Sequence, residues 1–151
     1  MAELLDAGKT IPEFETVDQH GKRISSRDMK GKVSVIYFYP KDDTPGCTTE
    51  ACEFRDSMEE YRKNGIEVYG ISVDSENSHK KFNDKYSLNF TLLADKEKSI
   101  SEKFGVLGGR VASRVTFIVD RDGKIRYVFP KVSPKGHSAE VIGKIRELNL
   151  I

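Results

Sequence analysis

The chain has 151 residues, and 25 basic against 24 acidic side chains leave a net charge of +1. That length points to one domain, residues 1–151, with about 68–70% of its unfolded surface buried. A near-neutral balance gives no electrostatic case for nucleic acid; no run reaches the ~20 apolar residues of a membrane span; and the first residues lack the basic start and apolar core of a signal peptide, so a cytoplasmic protein is expected.

Strand-like and helix-like runs alternate along the chain. Residues 14–17 and 22–24, either side of Asp18-Gln-His-Gly21, read as a short hairpin. Residues 33–39, Val-Ser-Val-Ile-Tyr-Phe-Tyr, are apolar on both faces and read as a central strand that Pro40 ends. Residues 48–64 carry Phe54, Met58 and Tyr61 at helical spacing, with Asn64-Gly65 as the stop. A strand follows over 66–73. Next comes a helix over 75–86 with Phe82 and Tyr86 inward, then a shorter one around 97–104 with Ile100 and Phe104. Residues 115–119 are a buried strand, and Asp122-Gly123 turns it into an antiparallel return over 124–129. Val141, Ile145 and Leu148 mark a final amphipathic helix. This order predicts an α/β fold, a mixed central β-sheet flanked by helices with a short N-terminal hairpin. A thioredoxin-like fold satisfies it, as do other α/β arrangements.

The segment Pro40-Lys-Asp-Asp-Thr44-Pro-Gly-Cys47-Thr-Thr-Glu50-Ala-Cys52 leaves the central strand, passes a Pro/Gly loop and opens a helix. In open α/β sheets, sites form where strands end. Helix starts carry unpaired N–H groups and the positive dipole end, which favour an anion and so the thiolate form of a cysteine. The competing reading makes both cysteines small buried hydrophobes. It suits Cys52, which lies beside the core stripe, better than Cys47, which Gly46 and Thr48 flank in a loop. The three histidines, His20, His79 and His137, are scattered without metal-ligand spacing, and the cysteine spacing matches no common zinc pattern, so no metal is expected. His79 reads as a partly buried or surface histidine near the Phe82 face. Cys-x-x-Cys is absent, against a plain disulfide exchanger.

The run Tyr37-Phe-Tyr-Pro-Lys-Asp-Asp-Thr-Pro-Gly-Cys-Thr-Thr-Glu-Ala-Cys-Glu-Phe54 closely resembles the bacterioferritin comigratory protein, or peroxiredoxin Q, branch of the peroxiredoxins. Its Pro-x-x-x-Thr-x-x-Cys pattern falls on Pro40, Thr44 and Cys47, and an Arg before an Asp-x-Asp-Gly turn falls on Arg114. The resemblance runs from Gly8 to the last helix. It implies a thiol peroxidase acting on hydrogen peroxide and alkyl hydroperoxides without haem, flavin or another cofactor.

The resemblance also implies roles. Cys47 is the peroxidatic cysteine, which becomes a sulfenic acid. Thr44 hydrogen-bonds thiolate and peroxide, Arg114 stabilises the thiolate and the leaving oxygen, and Pro40 shields the sulfur. Glu50, one turn on, is the candidate to hold Arg114. Cys52 is the resolving cysteine, and thioredoxin or another dithiol is the recycling partner of a monomer. Cα atoms at i and i+5 of a helix lie roughly 8–9 Å apart, whereas a disulfide needs less than about 7 Å. The Cys47–Cys52 bond therefore requires the first turns, residues 46–54, to unwind. An ordinary thiol is about 3% ionised near pH ~7, so full ionisation gains only ~30-fold and the rest must come from stabilising the breaking O–O bond. The segment 104–114 is shorter than in many relatives, which leaves Arg110 as a competitor to Arg114. The alternative function is a non-enzymatic redox sensor that uses the same disulfide as a switch.

Overall fold

The protein is described by a computed structural model over residues 3–151. A two-stranded antiparallel hairpin, β1 (Glu15–Val17) and β2 (Arg23–Ser25), precedes a short 3-10 turn, Ser26–Met29. Then come β3 (Val33–Phe38), α1 (Pro45–Lys63), β4 (Ile66–Ser72), α2 (Glu76–Tyr86), β5 (Thr91–Ala94), α3 (Ser99–Lys103), β6 (Val115–Val119), β7 (Ile125–Phe129) and α4 (His137–Glu147). The main sheet has the order β5-β4-β3-β6-β7. β3 runs parallel to β4 and antiparallel to β6, so the sheet is mixed as expected.

The central strand is buried on both sides because its side chains alternate between two cores. Val33, Val35, Tyr37 and Tyr39 face one core with Phe54, Met58 and Tyr61 of α1, Phe82 of α2 and Val141 and Ile145 of α4. Ile36 and Phe38 face the other, with Phe14 and Ile24 of the hairpin region and Ile100 and Phe104 around α3. The Asp122-Gly123 turn forms between β6 and β7, with Gly123 at φ +82 and the Asp120 carboxylate accepting from the N–H groups of Asp122 and Lys124.

Most ends shift by a residue or two, and two differences are larger. α1 begins at Pro45, not at 48, because Thr44 takes the extended N-cap conformation and proline suits the first helical position. β5 was not anticipated. Four residues of Thr-Leu-Leu-Ala carry no period of their own and become a strand by pairing with β4 from Tyr69↔Thr91 to Ser72↔Ala94.

Candidate active site

The chain leaves β3 at the middle of the sheet and turns into α1 through residues 39–44. Asp43 adopts a left-handed conformation, φ +57. Thr44 caps the helix, and Cys47 is its third residue, 1% exposed. Cys52 is half-buried, off the stripe formed by Cys47, Glu50, Ala51, Phe54, Met58 and Tyr61. Both thiols are free, and they lie in one unbroken helix.

Arg114, just before β6, joins Cys47 and Glu50. Its Nη1 donates to Glu50 Oε1 at 2.7 Å and its Nη2 to Cys47 Sγ at 3.3 Å. Glu50 is sealed from solvent, and its second oxygen, Oε2, has no hydrogen-bond partner. Burial therefore outweighs the Arg114 ion pair and pushes the Glu50 carboxyl up to about 7. Tyr37 lies under the same site, stacked on Phe54 at 4.8 Å, with an unpartnered hydroxyl. Burial, with Glu50 and Cys47 nearby, holds that hydroxyl in its neutral form.

Gly46 gives this arrangement its room. A Cβ there would stand 3.1 Å from Arg114 Nη2 and 3.5 Å from Pro134 Cγ, while its backbone is not in the left-handed region. The loop that carries Pro134 is tied to α1, since the Gly136 N–H donates to Glu53 Oε1 at 2.8 Å. His137 begins α4 and is buried, with Nε2 2.8 Å from the Thr116 hydroxyl and Nδ1 2.9 Å from Glu140. Burial pulls its pKa down, so the ring stays neutral, accepting from Thr116 and donating to Glu140.

The structure thus brings together Cys47, Glu50 and Arg114. Arg110 is exposed in the tight turn that the Leu107↔Ala112 bridge closes. The Thr44 hydroxyl donates to the Lys41 carbonyl at 2.9 Å, and Pro40 is half-buried where the chain leaves the sheet. The sequence reading passed over Tyr37, which looked like one more strand aromatic, and the buried group around His79. Asp42, Asp74 and His79 offer atoms within 4.8 Å of one another. No local signal joins residues so far apart in the chain. No helix of the described residues is long and apolar enough to cross a membrane.

Residues 7–128 match the AhpC/TSA family. The chain is 44% identical over 149 residues to the putative peroxiredoxin bcp of Coxiella burnetii, covering 93% of this chain and 99% of that one. Among solved structures it is similar to peroxidoxin BcpB of Mycobacterium tuberculosis, with 31% identity, TM-score 0.87, and coverage of 95% of this chain and 97% of that one. It is also similar to the bacterioferritin comigratory protein of Xanthomonas campestris, studied in complexes for its alkyl peroxide reduction activity, with 30% identity, TM-score 0.86, and coverage of 97% and 98%. These likenesses span both the thioredoxin-like sheet and the cysteine-bearing helix, and the chain belongs to the AhpC/TSA family as a peroxiredoxin of the Bcp/peroxiredoxin Q kind, a thiol peroxidase whose family is recycled by dithiol reductants.

Proposed function

We propose that Cys47 is the peroxidatic nucleophile and that this single-domain chain, residues 1–151, reduces hydrogen peroxide and organic hydroperoxides in the cytoplasm as a monomer. The observation that carries the reading is the Arg114 fork on both Cys47 and Glu50. The thiolate attacks one peroxide oxygen, the O–O bond breaks, and the leaving oxygen departs as water or alcohol while sulfur becomes sulfenic acid. Arg114 sits where it can stabilise both the thiolate and the charge growing on the leaving oxygen. Glu50 orients Arg114. Thr44, one turn before the sulfur, would aim its hydroxyl at the peroxide, and Pro40 would limit water at the thiolate.

Cys52 then resolves the sulfenic acid. Its thiol attacks the Cys47 sulfur, water leaves and a disulfide forms, which thioredoxin or a similar dithiol reduces. The alkyl peroxide activity studied in the Xanthomonas relative supports organic hydroperoxides as substrates here.

The test is hydrogen peroxide consumption with thioredoxin, its reductase and NADPH. Cys47→Ser is expected to abolish turnover. Cys52→Ser is expected to keep the first oxidation and lose thioredoxin-supported recycling. Turnover retained in Cys47→Ser would remove that residue as the nucleophile. Stoichiometric oxidation of Cys47 without turnover would favour the redox sensor.

A further inference from the structure

We propose that His79 is a positioning residue for the peroxidase reaction: through its contact with Asp42, helix α2 clamps the 40–44 turn and so fixes Thr44 and the first turn of α1. The proposal rests on Cys47 being the nucleophile.

His79 is fully buried and bonded at both ring nitrogens. Nε2 lies 2.9 Å from the Leu93 carbonyl of β5, and Nδ1 lies 2.7 Å from Asp42 Oδ2. A carbonyl only accepts, so Nε2 carries a hydrogen. Asp42 also accepts the Tyr39 phenol on Oδ1 at 2.6 Å and the Ser78 hydroxyl on Oδ2 at 2.8 Å. Asp42 thus gathers Tyr39, Ser78 and His79 on its two oxygens, and a buried network so fully connected holds each member in one geometry. The Asp42 backbone N–H donates to Asp74 Oδ2 at 2.8 Å, and the Ser72 hydroxyl holds the same oxygen at 2.7 Å.

The next residue is held as well. Asp43, in its left-handed conformation, accepts from Lys85 Nζ and the Tyr86 hydroxyl, both at 2.7 Å. Two consecutive residues of one turn are therefore gripped by opposite ends of α2, Ser78 and His79 near its start and Lys85 and Tyr86 at its close. A strained turn beside a reacting group persists only where its surroundings over-determine it, as they do here. The atoms that would hold a metal in this cluster are already taken up in these hydrogen bonds.

The test compares His79→Leu with His79→Asn. The asparagine amide stands where Nδ1 stands and still donates to Asp42, while both variants lose the Leu93 contact. Three quantities are read: the second-order rate constant for hydrogen peroxide by competition with a haem peroxidase, the rate of Cys47 alkylation by iodoacetamide, and Tm. His79→Leu is expected to lose about tenfold in the peroxide rate with alkylation unchanged, and His79→Asn to stay within about threefold of wild type, although Tm falls in both. Equal losses in the two variants, or no loss in either, overturn the proposal. Should His79→Leu not fold, Ser78→Ala, which removes another Asp42 partner, replaces it: a lower peroxide rate at unchanged Tm supports the clamp, and an unchanged rate overturns it. Peroxide turnover surviving in Cys47→Ser would instead reveal the failure of the underlying reading.

Discussion

Arg114 divides its two terminal nitrogens between Glu50 and the Cys47 sulfur. A lysine has one nitrogen and no planar fork, so it can serve one partner or the other. Arg114→Ala is expected to lower the peroxide rate constant about 100-fold, the scale of removing one preorganised donor, and Arg114→Lys to recover only part of it. Single-turnover kinetics read this directly. Glu50 makes a separate prediction about stability. Its folded carboxyl titrates at about 7 against an ordinary 4.5, so it holds its proton more tightly when folded. Its stabilising contribution is complete below about 4.5 and is lost as pH rises through about 7. Glu50→Gln, which stays neutral, is therefore expected to gain stability relative to wild type over that window and no further above it. Parallel urea-unfolding curves against pH would contradict this. The residues of this site were legible unequally. Thr44, Cys47, Glu50 and Cys52 sit in one short run whose Pro-Gly punctuation and helix start carry chemical meaning. Arg114 needed the family pattern to single it out. Asp42 and His79 meet only through the fold, 37 residues apart, and no period or motif links them.

Helix α1 has two tasks along one length. Its later turns bury Phe54, Met58 and Tyr61 completely, while its first turns hold the two thiols. Oxidation to the Cys47–Cys52 disulfide is expected to strip hydrogen-exchange protection from amides 46–54 and leave those near Met58 and Tyr61 protected. Because the Glu53 carboxylate accepts from Gly136, protection at the start of α4 should fall too. Full protection of 46–54 in the disulfide form would rule out unwinding. The elements legible from sequence were those with a strong period, such as α1, or a strong run of branched and aromatic residues, such as β3. The start of α1 was read late because a proline that can open a helix also reads as loop. β5 has only four residues, and its pairing with β4 decides its conformation.

At the scale of the whole molecule, two cores share one sheet, and α1 covers one of them together with α2 and α4. Its oxidation state therefore reaches global stability. Closing so short a loop with a disulfide contributes about 2 kcal/mol, whereas withdrawing Phe54 from its core costs about 3–5 kcal/mol. The disulfide form is expected to melt about 5 °C below the reduced form, given about 2–4 °C per kcal/mol for a chain of this size. Calorimetry of the two forms checks the sign. Gly46 draws stability and catalysis apart in another way. It stands in a helix with ordinary backbone angles, so nothing in its conformation asks for glycine; only the guanidinium 3.1 Å from its absent methyl does. Alanine there favours the helix by up to about 1 kcal/mol, yet its methyl would crowd the guanidinium and shift it by a few tenths of an ångström against the sulfur. Gly46→Ala should thus be a sturdier protein and a slower enzyme, and a screen for thermal tolerance alone would select the very change that disarms it.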